Sequence, residues 1–252
     1  MKISVPSYVI PGTYLENVEF LVGTPEIDAI ELLFFFYDDD TRELFRRERS
    51  RLEAHLDRFQ YSVHLPDTVR PEHSEIIDET RGLAAHYIVH PPRAPEAPPL
   101  RTFLPGWIDR YGDVFLIENT RTERFERCIA GLPEMGICCD TGHLLLEDRS
   151  PHEFLTRYGD RVRQVHLHGL RTPAKDEPAA DERSGVRDHH PVSADAPWLR
   201  EIVPFLRSFA GFVELEVFSY EHVLTSLSQL RLAGAFPSCS SRGGAKRGTR
   251  GA

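Results

Sequence analysis

Sulfur is scarce in this chain, with four cysteines and two methionines in 252 residues. Cys128, Cys138, Cys139 and Cys239 include no C-x-x-C pair, and the two adjacent ones could be bridged only with strain. A disulfide framework is therefore not expected, and reduced thiols in a reducing compartment are. Long apolar runs are missing too. The longest, Leu32-Leu33-Phe34-Phe35-Phe36-Tyr37, falls far short of the roughly 20 residues that a membrane helix needs. The first residues lack the charged region, apolar stretch and small-residue cleavage site of an export signal, so the expected compartment is the cytoplasm, with no membrane partner. Basic charge is in deficit, with a net charge of −9. Leaving out Arg242, Lys246, Arg247 and Arg250, the only charged residues of the last twenty, the first 232 residues carry −13. A body that acidic repels a nucleic-acid backbone and argues against nucleic acid as a partner. With 40% hydrophobic and 27% charged residues, the chain is neither disordered, collagenous nor coiled-coil.

What is present is a rhythm of short apolar runs and longer amphipathic segments. Eight runs read as strands: Lys2 to Pro6, Ile27 to Phe35, Gln60 to Leu65, His86 to His90, Val114 to Glu118, Met135 to Cys139, Arg161 to Leu167, and Phe212 to Val217. Most are nearly continuous in apolar character, as expected of parallel strands covered by helices. Helices are expected from Asp38–Asp40 to about Phe59, and over Glu72 to Arg81, Thr122 to Ala130, Ser150 to Tyr158, Ala196 to Phe209, and Glu221 to Leu230. The expected fold class is α/β, a single (β/α)8 TIM barrel over residues 1–232, with a metal site at the C-terminal face of the strands. Residues 233–252, rich in Gly, Ser, Arg and Ala, read as a disordered basic tail. The proline-rich stretch 91–99 and the charged stretch Arg171 to Arg187 read as loops over the same face.

Polar residues of ligand type recur at the ends of these runs: His64, His90, Glu118, Asp140 with His143, His166 with His168, Asp188 with His189 and His190, and Glu216. Singly, each is an ordinary hydrogen-bonded residue. A barrel, however, brings the C-terminal ends of all its strands around one mouth, so the set converges. Imidazoles and carboxylates so gathered suit zinc, manganese or iron, and burying the carboxylates without a cation would be costly. His55, His73, His86, His152 and His222 fall away from the mouth and are left out. Glu31, inside an apolar strand, could touch substrate or form a structural ion pair; Asn119 could orient a ligand carboxylate or cap a loop. Phe34 to Tyr37 read as packing residues whose last members could line a pocket for a large flat ligand.

Glu-Asn-Thr at 118–120, Asp-Thr-Gly-His at 140–143, His-Leu-His at 166–168 and Leu-Glu at 215–216 resemble the xylose-isomerase-like barrel superfamily, which includes sugar isomerases, epimerases and the endonuclease IV branch (AP endonuclease family 2). Isomerases of that superfamily need the four ligands matching Glu118, Asp140, His166 and Glu216. His64, His90, His143 and the Asp188-His189-His190 stretch match the further ligands of the endonuclease IV branch, which builds a three-metal phosphodiesterase centre. The resemblance implies up to three divalent ions, zinc or manganese. Glu118 would bridge two of them, with His64 and His90 on the first, Asp140, His166 and Glu216 on the second, and His143, Asp188 and either His189 or His190 on the third, where the family pattern Asp-x-His favours His190 and a one-residue shift in the loop would bring in His189. Glu118 and Glu216 would be the catalytic carboxylates. The opening segment 6–14, the run 33–40 and Asp-Thr-Gly-His-Leu-Leu-Leu are similar to the cobamide-remodelling phosphodiesterases, which implies hydrolysis of the nucleotide loop of cobamides, a small-molecule substrate, for corrinoid salvage. Competing expectations are a one-metal sugar (phosphate) isomerase or epimerase, an AP endonuclease, and a barrel that binds without turnover. Arg171 or Arg187 could clamp a phosphate, or simply be solvated.

Overall fold

The structure, a computed structural model, describes residues 1–93, 99–172 and 186–236. Its strands are β1 (Lys2–Pro6), β2 (Ala29–Leu33), β3 (Gln60–His64), β4 (Ala84–Val89), β5 (Phe115–Glu118), β6 (Gly136–Asp140), β7 (Val162–His166), β8 (Gly169–Arg171), β9 (Arg187–His190) and β10 (Phe212–Glu214). All but β8 and β9 close into a parallel barrel in chain order, and β10 returns to β1 with Lys2 opposite Phe212 and Ser4 opposite Glu214. The eight barrel strands coincide with the eight apolar runs to within three residues at either end. This is a (β/α)8 TIM barrel.

The lumen is divided. A small apolar cluster, Ile88, Leu116 and Cys138, fills the side built by β4, β5 and β6, separate from the main core between barrel and helices. The side built by β7, β10, β1, β2 and β3 is polar, with Gln164, Glu214, Ser4, Glu31 and Ser62 all fully buried. Side chains alternate along a strand with a period of two, so each inward row continues to the mouth. Ser62 leads to His64, Ile88 to His90, Leu116 to Glu118, Cys138 to Asp140, Gln164 to His166, and Glu214 to Glu216. The ligand-type residues are therefore the last rung of the packed barrel interior.

The described helices are α1 (Tyr14–Leu21), α2 (Asp39–Glu53), α3 (Ser74–Thr80), α4 (Leu104–Tyr111), α5 (Thr122–Ala130), α6 (Thr141–Leu146), α7 (Pro151–Tyr158), α8 (Pro197–Ser208) and α9 (Tyr220–Leu232). Six match expectation. The other three are short: α1 starts at a capping box of Thr13 and Glu16, and α4 carries Pro105 in its first turn, where the missing N–H costs nothing. Asp140 caps α6, accepting a hydrogen bond from the His143 N–H at 2.7 Å.

Two of the expected loops need correction or lie partly outside. The ends of the 171–187 stretch pair as the antiparallel hairpin β8–β9, with Gly169 opposite His190, while 173–185 lie outside the described residues, as do 94–98 of the proline-rich stretch. The tail expected from residue 233 lies outside from 237 onward. Its first four residues belong to the body, since Ala235 is fully buried and its N–H donates to the Leu230 carbonyl at 2.9 Å. Among the described residues no helix is long and apolar enough to cross a membrane.

Candidate metal centre

At the C-terminal ends of the strands, three groups of side chains bring one ligand atom each to within 4.8 Å of one another: His64, His90 and Glu118; Glu118, Asp140 and His166; and His168, His189 and Glu216. Glu118, at the end of β5, belongs to two of them. Its Oε2 lies 2.8 Å from His90 Nε2 and 3.4 Å from His64 Nε2, while its Oε1 lies 3.2 Å from His143 Nδ1 and 3.9 Å from His166 Nδ1. Asp140 Oδ1 is 3.2 Å from His168 Nε2 and its Oδ2 is 3.2 Å from His143 Nδ1. Glu216 Oε2 stands between His166 Nδ1 (3.4 Å), His168 Nε2 (3.5 Å) and His189 Nδ1 (3.7 Å). The cavity above them measures about 400 Å³ and is also lined by Asp67, Arg93, Phe35, Phe36 and Phe218.

Local sequence explains how these groups are held. Asn119 locks the ends of β5 and β6 together, donating from Nδ2 to the Asp140 carbonyl and accepting at Oδ1 from the Asp140 N–H, both at 2.8 Å. Gly142 makes room for His168, because a Cβ there would lie 2.5 Å from the imidazole Nε2 and closer still to Nδ1 and Cε1. His189 adopts φ +53, the left-handed region, which for a residue with a Cβ marks local strain that the surroundings must sustain. Its ring stacks on His168 at 4.3 Å and its N–H donates to His168 Nδ1 at 2.9 Å. Behind the mouth, Glu31 Oε2 lies 3.4 Å from His166 Nε2 and accepts from Ser62 Oγ and Gln164 Nε2. Asp67 Oδ1 lies 3.2 Å from His90 Nδ1. A carboxylate on the far nitrogen of a ligand imidazole fixes its tautomer and orientation.

Burial works against charge on every one of these groups. Even so, the imidazoles of His90, His143 and His64 hold Glu118 well below the usual carboxylate range. Conversely, Glu118 and Asp67 push His90 up to about 9 against its burial, and Asp140 and Glu118 push His143 up to about 10. Glu214, buried beneath Glu216 with neither oxygen hydrogen-bonded, is raised well above the ordinary range by burial and by Glu31.

The donor set fits divalent cations. Nδ1 of His143, Nδ1 of His166 and Oε2 of Glu216 are buried without a hydrogen-bond partner, although each lies 3.2–3.4 Å from an oppositely charged group. The atoms are close enough for hydrogen bonds yet not aligned for them, and buried nitrogen and oxygen ligand atoms gathered in this way are a set that a cation would satisfy.

Measured against the sequence, the mouth gathers His64, His90, Glu118, Asp140, His143, His166, His189 and Glu216. His190 stands apart: its Nε2 is 3.3 Å from Arg171 Nε and its ring faces His222 at 5.6 Å. Asp188 is partly exposed, 3.8 Å from His189 Nε2. With His189 turned inward, neither Asp188 nor His190 belongs to any of the three groups, against the Asp-x-His expectation that favours His190; the left-handed backbone at His189 sets which ring faces the mouth. Glu216 groups with His168 and His189 more closely than with Asp140. His168 was left out of the ligand set on sequence, although its spacing of two from His166 was the signal that both face inward. Asp67, three residues beyond His64, gave no such signal. Glu31 pairs with His166, and Asn119 holds the backbone of Asp140 rather than its carboxylate.

No family model and no curated protein sequence matches the chain. Among solved structures it is similar to the probable 3-DHS dehydratase AsbF of Bacillus anthracis (12% identity, TM-score 0.66, covering 93% of this chain and 99% of that one). It is also similar to endonuclease IV of Thermus thermophilus (16%, 0.55, 93% and 98%) and to a sugar phosphate isomerase/epimerase of Parabacteroides distasonis (9%, 0.55, 92% and 95%). At such identities the likeness establishes the fold alone, a TIM barrel; the neighbours themselves are described as a probable dehydratase, an endonuclease and a sugar phosphate isomerase/epimerase.

Proposed function

We propose that the chain is a metal-dependent phosphodiesterase of small molecules whose substrate is the nucleotide loop of a cobamide, cleaved to cobinamide phosphate and an α-riboside. The observation that carries this reading is the number of ligand groups: three in one mouth, two of them sharing Glu118. A one-metal enzyme leaves most of these imidazoles without a task, whereas diester hydrolysis uses clustered cations. When bound, such ions lower the pKa of water, neutralise the non-bridging oxygens and stabilise the leaving oxygen.

The protein's own contribution is rigidity. His64, His90 and Glu118 would hold one ion, Glu118, Asp140 and His166 a second, and His168, His189 and Glu216 a third, with His143 beside Glu118 and Asp140. Asp67 and Glu31 steady His90 and His166 from behind. Arg93, 46% exposed and 2.8 Å from Asp67, stands at the rim where a phosphate would enter. Phe35, Phe36 and Phe218 wall the opening and keep bulk water from the reacting atoms.

One observation favours a second reading, a one-metal sugar phosphate isomerase or epimerase. His166 Nδ1 lies within 3.9 Å of both Glu118 and Glu216, so a single ion could draw on the Glu118, Asp140, His166 and Glu216 set. Elemental analysis of protein first stripped and then reloaded, followed by mass analysis after incubation with a cobamide, separates the two. Two to three ions per chain with release of cobinamide phosphate and a nucleoside supports the phosphodiesterase. One ion and an intact cobamide supports the isomerase. His90→Ala and Glu216→Gln are each expected to abolish hydrolysis while circular dichroism stays native; retained hydrolysis in both would refute the assignment of these residues.

A further inference from the structure

A second cavity, about 490 Å³, opens beside the candidate metal centre and has no part in holding ions. It shares Phe35, Phe36 and Phe218 with that centre. Two of the three rings touch candidate ligands: Phe35 meets His64 edge-on at 5.3 Å and Phe218 lies 4.9 Å from His189. The partition between the two cavities is therefore aromatic. Tyr8, 52% exposed, and Phe36, 79% exposed, form its lip, and Leu33 and Leu44 line its inner side. With Phe35, 38% exposed, Tyr8 and Phe36 make three neighbouring rings open to solvent at the edge of one pocket.

Of its five polar side chains three are engaged among the described residues, while the Tyr8 and Thr41 hydroxyls are not. Ser7 Oγ accepts from the Leu33 N–H at 3.1 Å, the Tyr14 hydroxyl donates to the Leu33 carbonyl at 3.0 Å, and Thr13 Oγ1 accepts from the Glu16 N–H at 3.3 Å. Apart from those two hydroxyls, which can each donate or accept, the wall offers ring faces and apolar surface, so it reads flatness and area more than the pattern on a ring's edge. We infer that this annex seats a planar aromatic or heteroaromatic base carried on one arm of the substrate, and selects for the presence of such a base more than for its identity. The inference rests on the phosphodiesterase reading for the reaction, but not for the binding.

The test uses the full chain loaded with metal. Calorimetric titration with benzimidazole riboside, adenosine and phenyl riboside, none of which can be cleaved as a diester, is expected to give Kd values within about fivefold of one another, with ribose alone at least about tenfold weaker. Phe36→Ala and Leu44→Trp, which remove a wall and fill the space, should each weaken riboside binding about tenfold. In turnover, a diester carrying the base should lose that factor mainly in KM. Riboside binding with no diester cleaved leaves the annex standing and removes the phosphodiesterase reading. Equal Kd values in wild type and both variants, a strong preference for one base, or a change of oligomeric state with Kd unaltered would overturn the inference.

Discussion

Gly142→Ala adds one methyl group at the tightest point of the candidate metal centre. The new Cβ would come within 2.5 Å of His168 Nε2 and nearer still to two other ring atoms, against an ordinary contact of about 3.5–4.0 Å, so the ring must withdraw by more than about 1 Å. It has nowhere free to go. The His189 ring covers one face at 4.3 Å, the His189 N–H is directed at Nδ1, and Asp140 lies 3.2 Å from Nε2. Overpacking of this kind costs about 1–3 kcal/mol, and a melting temperature lower by roughly 2–10 °C is expected for a chain of this size. The functional loss should be larger, because a ligand displaced by about 1 Å degrades catalysis about 100-fold. The assay is metal content after dialysis, together with thermal melting and kcat/KM. One ion fewer per chain, a modest drop in melting temperature and a loss of activity far beyond it are expected. A variant with wild-type metal content and activity would refute both the close seat of His168 and its role as a ligand.

His189→Ala should lose metal and activity, whereas His190→Ala, whose ring turns toward His222, should keep both within about twofold; elemental analysis and initial rates decide, and the reverse pattern would show that the Asp188-x-His190 spacing is the one used. Asn119→Ala removes two hydrogen bonds that hold the buried backbone of Asp140, and should lower stability to denaturant by about 1–3 kcal/mol with a parallel loss of metal affinity. Burial pushes the Cys128 thiol up to about 11, so its alkylation in native protein at pH 8, followed by peptide mass analysis, should be slow and rise about tenfold per pH unit to pH 10, before most of the thiol ionises. Rapid, pH-independent labelling would contradict that environment.

The barrel was legible because each strand is a short apolar run and six of the nine described helices show apolar periodicity or a starting Asp, Ser or Pro. The other three, α1, α4 and α6, escaped although Thr13 and Asp140 cap two of them, because Asp140 read as a strand-end ligand and Pro105 and Gly106 read as breakers where the first turn tolerates them. The hairpin β8–β9 escaped for a different reason. Its pairing joins residues separated by a long charged stretch, and nothing local in Gly169–Arg171 or Arg187–His190 calls for a strand.

For the site, the sequence alone determined which strand ends carry imidazoles and carboxylates: an alternation of period two that ends on His64, His90, Glu118, Asp140, His166 and Glu216 has to project them into the mouth once the barrel closes. What it left open was the partnership among them. Whether His189 or His190 turns inward depends on a backbone in the left-handed region, and whether His168 joins depends on the missing Cβ of Gly142. The carboxylates that steady the imidazoles come from elsewhere, Glu31 from β2 and Asp67 from the loop after β3. Distances of about 3 Å between groups tens of residues apart are set by closure of the barrel, because only the closed ring makes neighbours of β1 and β10 and faces every strand end toward one point.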